Sequence, residues 1–408
     1  MSIRQWTDVG LIYVLGCAAN VALGLLAPLS VDLAAATHAT TQQIGPIPAA
    51  LYLPFLLGGV VVGRIVDKVD SRVLMMASVG AIAAAALLDL KADTIIWWVA
   101  DICLMSAGLV TLVVTAQTTL ARAVSGKAQS AVLSLWATTP YVGLSLGYLL
   151  SGALAETANW RWVFLIQASA AVAVAIPAVL LLTPRQAGAA PAGGHHGGGG
   201  LGQIPQFFAR ELKVVRLCLA YGVVTAASAG SGAVWPLYLS RFYETKGSVI
   251  SQMMAVTTPV SVLGPMLMGV LLARGVSSAK IGVALAAGGI VSTALIYTPH
   301  LDLRIVTAAM ALWALSISSL MAFSFSLIPR LLSDQAVVGV ATGMFYQLSS
   351  LCVLPAVPAF FAIAALSNAN LIFVGLVSAS WLLMIVIAPL WRTPPVPPPA
   401  APAVGANA

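Results

Sequence analysis

The sequence predicts an all-α membrane protein built from twelve helical spans in two sets of six. Three observations carry that expectation. Apolar residues fill 60% of the 408 positions and charged residues only 8%, with a mean hydropathy of +0.99. That leaves too little polar surface to coat a water-soluble domain of this length. The apolar residues are also gathered into runs close to the ~20 residues a helix needs to cross a hydrocarbon core. Finally, one long glycine-rich interruption falls near the middle of the chain.

Taken in order, the expected spans are 9–31, 43–63, 73–89, 95–120, 129–153 and 162–183, then 214–239, 249–273, 281–299, 305–329, 339–366 and 371–391. Runs of this length fit helices, whereas the strands of a membrane barrel are ~10 residues with alternating polarity. A helix also satisfies its backbone polar groups within one segment, as lipid requires. The first run contains Val14-Leu15-Gly16-Cys17, which has the look of a lipoprotein processing box. The apolar residues continue to about Val31, however, and Asp8 interrupts the expected short apolar region, so a retained first helix is predicted. Cys17, Cys103, Cys218 and Cys352 fall in four separate spans with no metal or disulfide spacing, and read as small buried apolar residues.

A net charge of +7 raises the question of nucleic acid, which the placement of the cations answers. With the N-terminus inside, fourteen of the nineteen Lys and Arg residues fall in inner loops, among them Arg64, Lys68, Arg72, Arg122, Lys127 and Arg185. Positive charge accumulates on the cytoplasmic side of membrane proteins, so both termini are expected there. The basic balance is a topology signal, and no nucleic-acid partner is expected.

Four regions are predicted: a first six-helix bundle over 1–183, a cytoplasmic linker and surface segment over 184–213, a second bundle over 214–392, and a disordered tail over 393–408. The linker contains Gly-Gly-His-His-Gly-Gly-Gly-Gly, which buries nothing. Its adjacent His195 and His196 read as solvated, and no metal site is expected. Gln206 to Val214 mixes Phe207 and Phe208 with Arg210 and Lys213, the pattern of a helix lying on the membrane surface. The tail is Pro- and Ala-rich.

The two halves echo each other. Gly58 to Gly63 ends span two and leads to Asp67-Lys68, while Gly264 to Gly269 ends span eight and leads to Ala273-Arg274. Glycines and cation recur at one offset, which points to a six-plus-six duplication. The loop after span two, Gly63-Arg64-Ile65-Val66-Asp67-Lys68-Val69-Asp70-Ser71-Arg72, resembles the signature of the major facilitator transporters, Gly-x-x-x-Asp-(Arg/Lys)-x-Gly-(Arg/Lys)-(Arg/Lys). Gly63, Asp67, Lys68 and Arg72 match. Asp70 replaces the usual glycine and Ser71 a cation. The resemblance implies the major facilitator fold, two six-helix bundles related by a pseudo-two-fold axis with the substrate between them. It also implies a gating role for this motif, with Asp67 meeting the N-terminal end of helix eleven near Val338 to Thr342, where the helix dipole favours a carboxylate.

Span five reads Gly143-Leu144-Ser145-Leu146-Gly147-Tyr148-Leu149-Leu150-Ser151-Gly152 and is followed by Trp160-Arg161-Trp162-Val163-Phe164. It resembles the fifth helix of drug/proton antiporters at Gly143, Gly147 and Gly152, although Tyr148 stands in place of proline and Ser151 in place of glycine. The same spacing serves small-residue helix packing, and Trp-Arg-Trp also suits an interfacial anchor. In span four, where those antiporters carry arginine, this chain has Asp101. An acid there is either a cavity-facing proton carrier or an acid of the outer headgroup region beside Lys91 or Arg161. Asp32, at the outer end of span one, is the second proton-coupling candidate.

In the family that the chain resembles, helices one, four, seven and ten line the cavity and two, five, eight and eleven contribute. The polar and aromatic residues at such places are Asn20, Gln117, Trp136, Tyr141 and Tyr221, together with Trp235, Tyr238, Gln252, Trp313, Tyr346 and Gln347. A neutral, aromatic cavity favours an amphipathic or aromatic solute over a phosphate or dicarboxylate. The resulting expectation is a monomeric secondary transporter in a bacterial inner membrane, with protons, a small-molecule substrate and lipid as partners. Efflux is the first expectation, and proton-coupled uptake of a solute such as a siderophore or aromatic acid the second. No histidine falls inside an expected span and no phosphate-binding loop occurs, so enzyme chemistry, a cofactor and ATP drive within the chain are not expected.

Overall fold

The computed structural model describes residues 3–40, 42–66, 69–124, 132, 135–155, 157, 159–182, 210–332 and 338–387. Among the described residues there is helix in every one of the twelve expected spans and no strand. Ten helices are long and apolar enough to cross a membrane. The other two crossings are the second, which is segmented, and the fifth, described as Thr139–Leu154. Helix directions alternate, which puts both ends of the described chain on one face, called near here; the opposite face is called far. The outer surface is apolar, with Ile96, Leu180 and Val386 each more than 70% exposed. In water such a belt would be a liability; against acyl chains it is the stable arrangement.

Span one differs from its expected extent of 9–31. A helix runs over Ile3–Asn20 and tightens to 3-10 over Val21–Gly24, and a separate short helix follows at Ser30–Ala36. Pro28 has no N–H to bond the Gly24 carbonyl, so the helix cannot continue through it. Asp32 therefore lies in a short helix beyond the span. That helix packs against the seventh span, Leu212–Tyr243. The seventh span starts at Leu212, so Lys213 and Val214 belong to its first turn; residues 206–209 of the expected surface helix lie outside the described set.

Side-chain caps define where several spans begin. Asp70 Oδ1 accepts from the Arg72 N–H at 2.8 Å and opens the third span, Ser71–Asp89. Asp302 does the same for Arg304 at 2.7 Å and opens the tenth, Leu303–Leu331. Thr94 and Ser277 open the fourth, Ile95–Ala123, and the ninth, Ser278–Ile296. Asp70 thus replaces the motif's usual glycine with an N-cap, a role worth about 1 kcal/mol.

Glycines set the closest helix approaches. A Cβ at Gly143 would stand 2.6 Å from Asn20 Cβ, and one at Gly147 only 2.3 Å from the Val21 carbonyl oxygen, so the fifth span lies backbone-on-backbone against the first. Gly289 makes room for the Trp381 indole of the twelfth span, Ala369–Ile387. Gly58 faces Val110 of the fourth span, and its counterpart Gly264 faces Ser318 and Ser319 of the tenth. The repeated glycines of the two halves therefore pack equivalent helix pairs.

Candidate functional site

The second and eighth spans are both broken beside the centre of the bundle. The second runs as Pro46–Ala49, a 3-10 segment Ala50–Tyr52, then Leu53–Val66. The eighth runs as Gly247–Thr257, a 3-10 segment Thr258–Val262, then Leu263–Ala273. Tyr52 and Thr258 precede the matched glycines Gly58 and Gly264 by the same six residues. Proline is the cause. Pro54 cannot donate to Ala50, so the chain tightens until the Leu53 N–H reaches that carbonyl, and the Cys103 thiol adds a contact at 3.7 Å. Ser106 Oγ donates to the next carbonyl, Leu51, at 2.5 Å. Pro259 likewise cannot donate to Ala255, whose carbonyl accepts from Ser145 Oγ of the fifth span at 2.7 Å. That hydrogen bond crosses from one half to the other.

Between the broken spans lies a cavity of about 320 Å³, at the small end of the range for small-molecule sites. One half contributes Tyr52, Tyr141 and Tyr148; the other contributes Ser228, Trp235, Thr257, Thr258, Ser261 and Trp313, with aliphatic side chains from both. Among the described residues, no Asp, Glu, Lys, Arg or His lines it. Trp313 meets the edge of Trp235 at 4.7 Å between ring centroids. The far end is closed by Gly45 against Pro358 and Phe361 of the eleventh span, Val338–Ala364, and by Gly152 against Ser248 and Ser251 of the eighth. Toward the near face, the Tyr141 hydroxyl reaches Met321 Sδ across the halves at 3.8 Å.

Of the eleven sequence-derived cavity candidates, Tyr141, Trp235 and Trp313 line this space. The others are not among its lining residues, although Tyr221 and Tyr346 lie near enough to Tyr141 to interact with it electrostatically. The Asn20 amide donates to the Gly16 carbonyl of its own helix at 2.8 Å, and Trp136 packs over Gly16. Tyr221 stacks on Phe345 at 4.2 Å. The Tyr238 hydroxyl donates to the Tyr297 carbonyl at 2.9 Å. Gln117, Gln252 and Tyr346 are exposed and Gln347 is half-buried. Tyr52, Tyr148, Ser228 and Thr258 were missed by the sequence reading. The signal that could have found them is the matched pair Pro54 and Pro259, since broken membrane helices line cavities.

Asp101 lies away from the cavity. It is 2% exposed in the fourth span, with Oδ2 buried and unpartnered. Beside it is Asp89, the last residue of the third span, 1% exposed with both oxygens buried and unpartnered. Arg161 is near Asp89, but its guanidinium donates to the Leu90 carbonyl at 2.9 Å and lies over the Trp160 ring at 5.3 Å. Trp98 is stacked with Trp160, and its ring and that of Trp160 both lie against Phe164. The Trp-Arg-Trp segment thus joins a buried cluster through Trp160, while Trp162 is 53% exposed, as an interfacial residue would be.

Of the gating motif, Gly63 lies within Leu53–Val66 and Arg72 opens the third span, with its Nε buried and unpartnered. Asp67 and Lys68 lie outside the described residues. The eleventh span begins at Val338.

Comparison with solved structures shows the same architecture. A bacterial homologue of the human lysosomal transporter Spinster, in an inward-facing and unoccupied conformation, superposes with a TM-score of 0.79 at 13% identity, over 97% of this chain and 100% of that one. The same homologue in an occupied conformation gives 0.73 at 13%, over 96% and 97%. A variant of the nucleoside transporter NupG gives 0.75 at 12%, over 95% and 98%. At such identities the likeness is one of fold. No curated protein matches the chain by sequence. The profile of the Major Facilitator Superfamily matches residues 10–356, which is most of the chain. Twelve spans, two halves with matched breaks and that match together make this a membrane transporter and not an enzyme: the chain belongs to the Major Facilitator Superfamily.

Proposed function

We propose that the protein exports a small amphipathic or aromatic organic solute in exchange for protons, by alternating access across a bacterial inner membrane. The observation that carries this reading is the charge-free aromatic cavity between the halves, closed at its far end. The bundles over 1–183 and 214–392 act as the rocking units, and the signature loop with Asp67, Lys68 and Arg72 latches the near side against helix eleven. Proton-coupled uptake is the second reading, favoured by Asp101 at a place where antiporter relatives carry arginine.

The proton is carried by Asp101 together with Asp89. Two ionised carboxylates close together in a buried site, with the nearby Arg161 hydrogen-bonded to the Leu90 carbonyl, would be costly, so the pair is suited to hold a proton. The route to the cavity is short. Two and five residues beyond Asp101, Cys103 and Ser106 hold the carbonyls of Ala50 and Leu51, and Leu51 lines the cavity. A shift of the fourth span on proton release therefore reaches the solute site through the break in the second. Asp32, half-buried in the short helix beyond span one, is the alternative acid.

The test is transport in proteoliposomes of known orientation under an imposed pH difference. Extrusion from the near side into the more acidic far side supports export. Movement from far to near, down the proton gradient, establishes uptake instead. Orientation is checked with cysteines at Gly198 and Gly247, which should label from opposite sides with the linker cytoplasmic. Labelling of both from one side overturns the topology.

The Ser145–Ala255 hydrogen bond gives a further expectation. Ser145→Ala leaves the Ala255 carbonyl without its cross-half donor, at a cost of ~1–3 kcal/mol to the far-closed state. Spin labels at Thr157 and Thr245 should then report a larger fraction of far-open protein. An unchanged distance distribution would show that the bond does not bias the equilibrium.

A further inference from the structure

The cavity's hydrogen-bonding inventory is lopsided. Thr257 and Thr258 spend their hydroxyl hydrogens on carbonyls of their own helix, at Met253 and Met254, and Ser261 spends its hydrogen on Ala314 of the tenth span. What remains of these three is lone pairs. Ser228 Oγ, Trp235 Nε1 and Trp313 Nε1, by contrast, are buried in the cavity wall with no hydrogen-bond partner. An indole N–H can only donate.

These unpartnered donors lie on the seventh span and on the tenth, which meet where Trp313 packs against Trp235. Ser228 and Gly232 are four residues apart on the seventh span and share a helix face. The absence of a side chain at Gly232 lets the Trp313 ring approach, its outer edge lying 3.9 Å from where a Cβ would be. A buried donor without an acceptor is costly, and an incoming acceptor relieves that cost. With no charged side chain in the lining among the described residues, an ion entering the cavity would lose its hydration and gain no counter-charge there.

We propose that the cavity selects an uncharged, planar aromatic solute that places a hydrogen-bond acceptor, such as a ring carbonyl oxygen, against Trp313 and Ser228. The proposal rests on the transporter reading and narrows it to neutral acceptors. Carboxylates and ammonium ions are excluded by desolvation, and acceptor-free hydrocarbons of the same size bind less well because these donors stay unpaired.

The test uses three flat bicyclic probes of similar size: coumarin, which is neutral and carries a carbonyl; naphthalene, which has no acceptor; and coumarin-3-carboxylate, an anion. Equilibrium dialysis of the full-length protein in detergent, corrected for partition into empty micelles, reads saturable binding. Coumarin is expected to bind at least tenfold more tightly than either comparator, about tenfold being the value of one hydrogen bond made in a dry site. Trp313→Phe and Ser228→Ala should each weaken coumarin by about that factor and leave naphthalene unchanged. Equal binding of the carboxylate or of naphthalene, absence of saturable coumarin binding, or indifference of coumarin to both substitutions overturns the proposal. Should Trp313→Phe fail to fold, Ser228→Ala carries the test alone. Protein that binds coumarin as expected but moves no solute in proteoliposomes refutes the transporter reading and leaves the site standing.

Discussion

Asp101→Asn is expected to abolish proton-driven solute accumulation while leaving solute exchange at equilibrium largely intact. The amide keeps the size of the side chain and removes its ability to take and release a proton. Exchange needs only the conformational cycle with solute bound, so it survives. Accumulation needs a protonation change in every cycle. A pH difference of one unit supplies ~1.4 kcal/mol per proton, or a tenfold solute ratio for one-to-one coupling. The variant's ratio should fall to the equilibrium value. Asp89→Asn should reproduce the loss, because a lone Asp101 without its acidic neighbour no longer belongs to a shared pair. Counterflow and pH-driven flux measured in the same proteoliposomes separate the two components. Wild-type accumulation in both Asn variants would remove the pair from the mechanism and turn attention to Asp32.

The fold was legible because its signal is one-dimensional. Bilayer thickness fixes the length of an apolar run, so the spans could be read without knowing a single contact. The site was harder. Tyr141, Trp235 and Trp313 were found because aromatic residues on expected inner helices stand out in composition. Asn20 and Tyr238 carry the same polar signature, yet they spend it on hydrogen bonds to the Gly16 and Tyr297 carbonyls. Polarity within a span shows that a partner exists and is silent about whether that partner is solute or backbone. Asp89 was passed over for a related reason. At the last position of its span it reads as an ordinary helix-end acid, and only the packing of the third span on the fourth shows it buried beside Asp101. The breaks in spans two and eight were visible as Pro54 and Pro259, but a proline alone does not say which neighbour takes up the freed carbonyl. Ser145 does so for Ala255 from the other half of the molecule, more than a hundred residues away in sequence.

Gly147→Ala is expected to destabilise the protein sharply, and Gly80→Ala to stabilise it slightly, although the chemical change is identical. Both glycines lie inside membrane helices, where alanine is intrinsically favoured by ~1 kcal/mol. At Gly80 an added Cβ meets nothing within 4 Å, so the propensity gain stands alone. At Gly147 the Cβ would lie 2.3 Å from the Val21 carbonyl oxygen and 2.8 Å from Gly24 Cα. Both are backbone atoms, so no side-chain rotation relieves the overlap and the first and fifth spans must separate. Overpacking of this kind costs ~1–3 kcal/mol, or more where backbone has to move, which exceeds the propensity gain. Gly24→Ala should behave like Gly147→Ala, its Cβ falling 2.4 Å from the Leu144 carbonyl oxygen of the same contact. Combining the two should cost less than the sum, because helices already parted by one methyl accommodate the second. Thermal unfolding in one detergent, monitored by tryptophan fluorescence, ranks the four variants. A Gly147→Ala protein as stable as Gly80→Ala would show that the fifth helix does not rest backbone-on-backbone against the first.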